Sequence, residues 1–136
     1  MVILTGSDAR AGSECKREDF AKVVDATGQA LRDINGRNAP AFRARLRALK
    51  KAKGWSQEAF LSKAKPLVQD DQITLYDDTS DDLLAKINSL GDDTGNAEPD
   101  CLVLEELKSH LDHLIETINA KWAYMFANVE KALKSP

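Results

Sequence analysis

The feature that most constrains this fold is a long apolar series near the end of the 136-residue chain. Its members recur every three or four residues and fall within an arc of about 120° on one helical face. They are Leu104, Leu107, Leu111, Leu114, Ile115, Ile118, Trp122, Met125, Phe126, Val129 and Leu133. A helix from Asp100 to Lys134 would be about 50 Å long, longer than the diameter of so small a domain. Its end must therefore overhang, be covered by helices lying along it, or pack on a second copy.

Capping residues, glycines and prolines divide the preceding sequence into four shorter predicted helices. Their approximate ranges are 14–35, 38–53, 56–66 and 80–90. Asn35-Gly36 is a natural helix stop, and Pro40 suits the first turn of the helix that follows it. Gln72–Tyr76 is interpreted as an extended linker or one helical turn, and residues 92–97 as a polar loop.

These patterns predict one all-α domain of about five helices packed around the long C-terminal amphipathic helix. The domain covers residues 13–136, and residues 1–12 form a flexible N-terminal arm because turn-forming residues are frequent there. Apolar runs are only a few residues long, which excludes a membrane-spanning helix.

The N-terminal sequence and the cysteines bear on the compartment. Met1–Gly6 has no basic start and too few apolar residues for a signal peptide, so a cytoplasmic location is expected. Cys15 and Cys101 form neither a zinc motif nor a C-x-x-C motif. Two reduced thiols fit a cytoplasmic protein, and a single disulfide is the alternative.

Charge is divided unevenly along a chain whose net charge is only −3. Residues 43–65 hold eight basic side chains and one acid, a net charge of +7. Residues 70–100 hold ten acids and one base, a net charge of −9. Such segments are either solvated faces that compensate one another, or docking surfaces whose fields steer a partner.

The segment from Arg45 to Ala64 combines a basic amphipathic helix, the sequence Gly-x-Ser-Gln-Glu and a short helix. The residues that carry the pattern are Arg45, Leu46, Arg47, Leu49, Gly54, Ser56, Gln57, Glu58, Phe60 and Ala64. It resembles the opening of the Cro/C1-type helix-turn-helix family, with fainter similarity as far as residue 91. The resemblance implies a dimeric DNA-binding regulator whose phosphate contacts would be Arg43, Arg45, Arg47, Lys50, Lys51 and Lys53.

The element that would read DNA in this family corresponds to Gln69–Thr74, which carries Asp70 and Asp71. Adjacent carboxylates in the major groove would be repelled by phosphates within a Debye length of roughly 8–10 Å. DNA recognition is therefore the alternative function and not the preferred one.

Sequence features of catalysis are few. There is no phosphate-binding glycine loop, and residues 92–103 lack the glycine and glutamate of a calcium loop. Glu106, His110 and His113 share one helical face, but an open helix surface offers no enclosure or fourth ligand for a metal. We therefore expect no enzyme activity, metal or cofactor. An enzyme would need one of these histidines in a concave pocket.

The preferred hypothesis is a non-enzymatic protein-binding or regulatory module of the adaptor, antitoxin or immunity type. Its partner is another protein or a second copy, bound through an acidic surface and anchored at the aromatic end of the last helix. The candidate residues are Asp70, Asp71, Asp77, Asp78, Asp81, Asp82, Trp122, Met125 and Phe126. The last three also fit a purely structural role in the core.

Overall fold

The computed structural model describes residues 15–96 and 100–136, and these ranges are helical throughout apart from short connections. Four helices occur in them: α1 (Arg17–Lys53), α2 (Gln57–Val68), α3 (Asp71–Asn96) and α4 (Cys101–Lys134). The predicted all-α class is confirmed, and the two helices predicted at 14–35 and 38–53 form a single helix, so the described ranges hold four helices. The predicted arm at 1–12 lies outside the described residues.

The missing boundary lies within α1, which continues through the region where two helices were predicted. Pro40 has no backbone N–H, so it cannot donate the helical hydrogen bond to the Gly36 carbonyl. Gly36 and Pro40 are both exposed, so water can reach that carbonyl instead. The side-chain amide of Asn38 also donates to the Ile34 carbonyl over 2.8 Å. One buried seam spans both predicted helices, and its members are Phe20, Thr27, Ile34, Phe42 and Leu49. Burial of this continuous seam outweighs the local stop signals.

The predicted connection between α1 and α2 forms, whereas the predicted end of α2 at Pro66 is wrong, because Pro66 lies inside the helix and the helix continues to Val68. Gly54 ends α1 in the left-handed region with φ of 65°, where a residue without Cβ is favoured. Ser56 then caps α2 by accepting a hydrogen bond from the Ala59 amide over 3.1 Å.

Helix α3 is longer than the sequence suggested. It starts at Asp71, so Gln72–Tyr76 forms its first turns and not an extended linker. It ends at Asn96, and the prediction of a polar loop over residues 92–96 is therefore wrong. Asp70 starts the helix by accepting a hydrogen bond from the Ile73 amide over 2.8 Å.

Helices α1 and α4 run parallel, and α3 runs antiparallel to both. A disulfide joins Cys15 to Cys101 at the starts of α1 and α4, with their Cα atoms 5.3 Å apart. At the other end, Lys53 donates to the carbonyl of Ser135. Helices α1 and α3 both pack along α4, and α2 touches it near its end. The length of α4 is therefore covered within one chain.

Two apolar clusters form the core, one toward each end of the bundle. Phe20 contributes to the first, together with Leu104, Leu107 and Leu111 of α4. The second comprises Phe42, Leu49, Ile73, Met125 and Val129. Three buried hydroxyl groups, one from each long helix, belong to neither cluster: those of Thr27, Ser80 and Thr117.

The pairing of Cys15 with Cys101 corrects the expectation of two reduced thiols. The spacing of 86 residues carried no pairing signal, because the two positions meet only when α1 and α4 lie side by side and parallel. A search of the described residues finds no helix that is long and apolar enough to cross a bilayer.

Candidate docking surfaces

The outward side of α3 carries a row of aspartates. Asp71, Asp78, Asp81 and Asp82 are exposed, and we call these four residues the acidic face. None of them makes an ion pair or hydrogen bond with another side chain in the described part of the chain. Four of the six predicted aspartates therefore remain available to a partner.

The other two predicted aspartates are engaged within the protein. Asp77 pairs with Lys121 of α4, with 2.6 Å between Oδ1 and Nζ. Asp70 accepts a hydrogen bond from the Tyr124 hydroxyl over 2.5 Å, in addition to the bond from the Ile73 amide. Asp70 thus helps to hold α3 against α4, and its contribution to a docking surface is limited to its uncommitted acceptor capacity.

The hydrogen bond between Tyr124 and Asp70 shifts the pKa values of both groups. The hydroxyl of Tyr124, and after it the Ile73 amide, holds the pKa of the Asp70 carboxyl below its ordinary value of 3.8. The same carboxylate raises the pKa of Tyr124 above its ordinary value of 10.0, because ionising the phenol would remove the hydrogen bond that its hydroxyl donates to Asp70. Tyr124 also packs edge-on against Tyr76, so it joins α3 to α4 and is not an isolated surface aromatic.

Leu75 is one of several exposed large apolar residues, and it is the one that lies between aspartates of the acidic face. Its side chain is 56% exposed, and Asp71 and Asp78 lie one helical turn away on either side of it along α3. A large apolar side chain surrounded by carboxylates resembles the centre of a protein–protein interface, where an apolar contact is surrounded by a polar rim. The β-prone run Gln72–Tyr76 predicts an extended linker or one helical turn, and neither expectation points to an exposed helix position at Leu75.

The aromatic end of α4 packs inward. Met125 is buried, and the Phe42 ring stacks edge-on against Trp122 at 5.9 Å and against Phe126 at 5.3 Å between centroids. The Trp122 indole donates to the side-chain oxygen of Asn35 over 3.0 Å. These contacts place the three predicted anchors in or against the core. What remains open beside Trp122 and Met125 is a depression of about 210 Å³.

Three of the six basic residues proposed as phosphate contacts have partners within the chain. Arg45 pairs with Glu130 of α4 at 3.1 Å. Lys50 donates to Gln57 over 2.6 Å, and Lys53 binds the Ser135 carbonyl. These contacts fasten the end of α1 to α2 and α4.

The remaining three basic residues, Arg43, Arg47 and Lys51, are exposed, and we call them the basic stripe. They follow one another at intervals of four residues and so occupy successive turns of α1 over about 12 Å. No ion pair or hydrogen bond links them to any described residue, and none joins the segment 43–65 to residues 70–90 or Asp100, the part of the acidic segment whose side chains the structure describes. Among the described residues, the basic and acidic segments therefore do not neutralise each other through direct ion pairs.

The groove that contains His110 lies between α3 and α4. It has a volume of about 300 Å³ and is lined by Lys86, Ser89, Leu90, Glu106 and His110. The Nε2 atom of His110 is 3.7 Å from Oε1 of Glu106, which is longer than a hydrogen bond. His113 is exposed, and no group of three metal-ligating side chains comes together in the ranges 15–96 and 100–136.

Comparisons with known proteins do not assign a family. No protein-family model, no curated protein sequence and no solved structure matches the chain. The resemblance to Cro/C1-type regulators therefore stays a prediction.

Proposed function

We propose that this protein is a non-enzymatic protein-binding module that docks a basic partner through the acidic face of α3. The observation that carries the proposal is the set of four exposed aspartates on one helix, all without a partner in the described chain. Regulatory roles of the adaptor, antitoxin or immunity type are consistent with such a module.

The acidic face costs the free protein stability. Asp78 and Asp82 are four residues apart, and like charges at this spacing destabilise a helix by about 0.2–0.5 kcal/mol per pair. The one basic residue in the described part of α3 is Lys86, which is four residues after Asp82 and offsets the repulsion only at the end of the row. A cationic partner would relieve it and would be steered to the site by the same field.

Leu75 supplies the apolar contact that the sequence analysis assigned to the end of α4. Trp122 and Phe126 contact Phe42 of α1, so these α4 aromatics are engaged in packing between helices. Truncating an exposed, carboxylate-framed leucine removes contact area without opening the core. Leu75→Ala should therefore weaken partner binding while leaving the melting temperature of the free protein nearly unchanged.

The proposal is tested by affinity capture with the immobilised protein, followed by mass spectrometry. The double variant Asp78→Lys/Asp82→Lys should lose the partner that the natural protein captures. The matched control is Asp25→Lys/Asp112→Lys, which makes the same charge change at exposed sites on other helices. Equal capture by both variants and the natural protein would show that the acidic face is not the docking site.

DNA binding remains the second candidate because of the basic stripe. Three unpaired cations on successive turns of one helix could neutralise about three phosphates. Titration of duplex DNA at low and moderate salt tests this, with a slope of log affinity against log salt of about −2.7 expected for three contacts. Absence of binding at low salt would eliminate this function.

The disulfide bears on the compartment. Disulfides persist in oxidising compartments and are rare in the cytosol, so the Cys15–Cys101 pair favours an oxidising compartment over the predicted cytoplasmic location. Alkylation of free thiols in freshly lysed cells distinguishes the two, because only a reduced protein would gain two alkyl groups.

A further inference from the structure

The basic stripe of α1 lies in a segment with no negative charge. Residues 36–53 contain seven basic side chains and not one acid. Ala44 and Ala48 are exposed beside the stripe, and their small side chains allow another helix to approach the α1 backbone closely. This surface therefore fits a helix that carries carboxylates around one protruding apolar side chain.

The acidic face has that composition. Asp71, Asp78 and Asp82 fall within about 40° of one another around α3 at 100° per residue, and Leu75 lies at the edge of the same sector. Asp78 and Asp82 are one turn apart, about 6 Å along the axis, which is also the interval between Arg43 and Arg47. The two faces match in charge sign and in spacing.

Both surfaces lie beside the C-terminal half of α4. Arg45, next to the basic stripe, pairs with Glu130. Asp70 and Asp77, next to the acidic face, contact Tyr124 and Lys121. The stripe and the face therefore lie in the same half of the bundle, yet no ion pair connects them within the described chain.

We propose that a second copy of this chain covers the acidic face, with the basic stripe of each copy docked on the acidic face of the other. The inference rests on the proposed function and names the partner for the same site. Because every copy carries both surfaces, two reciprocal contacts close a two-fold dimer, the commonest symmetry of soluble oligomers. Leu75 of one copy then packs between Ala44 and Ala48 of the other.

The test uses charge reversal of the full chain and measures mass in solution by light scattering and sedimentation. The first variant is Arg43→Glu/Arg47→Glu/Lys51→Glu, which makes both surfaces acidic. The second is Asp71→Lys/Asp78→Lys/Asp82→Lys, which makes both surfaces basic. We expect the natural protein to be dimeric at low salt and each variant to be monomeric.

Mixing the two variants should restore a dimer that contains one copy of each, because both contacts again join opposite charges. The dissociation constant of the natural dimer should rise at least about tenfold between low salt and 0.5 M salt, where the Debye length is only a few ångströms. Far-ultraviolet circular dichroism establishes that each variant is folded. If a lysine variant is unfolded, Asp71→Asn/Asp78→Asn/Asp82→Asn replaces it in the self-association measurement.

A natural protein that stays monomeric at low salt would overturn the inference, as would a dimer that neither variant disrupts. If the natural protein is monomeric but its acidic face captures a different basic protein, the proposed function stands and only the self-association is removed. If the natural protein neither self-associates nor captures a partner through the acidic face, the proposed function is removed as well.

Discussion

Breaking the disulfide should lower the stability of the protein substantially. Cys15 and Cys101 are separated by 86 positions, and closing a loop of that size removes about 4–5 kcal/mol of chain entropy from the unfolded state at 25 °C. The unfolding free energy of Cys15→Ala/Cys101→Ala should fall by up to this amount. With an m-value of about 1.5 kcal/mol/M, the urea midpoint would drop by about 3 M.

Urea unfolding monitored by far-ultraviolet circular dichroism measures the change, and a reducing agent provides the control. Reduction should bring the natural protein to the stability of the double-alanine variant and should leave that variant unchanged. An unfolding free energy that is the same with and without reductant would refute the argument. So would a native protein in which both thiols can be alkylated.

Three further predictions concern single side chains. Gly36→Ala should raise the unfolding free energy by about 1 kcal/mol, whereas Gly54→Ala should lower it by about 1 kcal/mol. An added Cβ meets nothing within 4 Å at either site, and only Gly54 has a positive φ, so urea titration should show opposite signs. Tyr124→Phe should reduce stability most between pH 3.8 and 10.0. In pH-dependent melts, the difference should shrink below 3.8 as Asp70 protonates through its lowered pKa, and above 10.0 as Tyr124 ionises through its raised pKa. Leu49→Ala, at a position with no exposure, should cost about 2–5 kcal/mol in the same titration.

Periodicity was sufficient to predict α4, because eleven apolar positions on one face leave few alternatives to a long helix. Local chemistry was likewise sufficient for the turn between α1 and α2, where Gly54 needs the left-handed region and Ser56 needs only a nearby amide. Both features depend on residues within a few positions of one another in the sequence.

The single helix α1 shows where local signals mislead. Gly36 and Pro40 favour a break, but the seam from Ile34 to Phe42 keeps its register across them, so packing on α4 decides the outcome. Comparing the register of the two predicted helices would have revealed this continuity in the sequence.

The acidic face was predictable only in part, for a different reason. The sequence gives no means to distinguish the six aspartates from one another. Only the folded structure shows which of them have a partner in α4 and which are exposed. Tyr124 and Lys121 lie 54 and 44 positions from the aspartates that they bind. The pairing of the cysteines likewise follows from the parallel orientation of α1 and α4, which no local pattern encodes.

The disulfide also sets the path of mechanical force through the molecule. A pull between residue 15 and the C-terminus passes across the sulfur atoms into α4, so the rest of the bundle lies inside a closed loop that bears no tension. A motor that grips the C-terminal end can extend only the residues after Cys101 before it meets that loop. To go further it must thread two chain segments at once, unless a reductant has opened the bond.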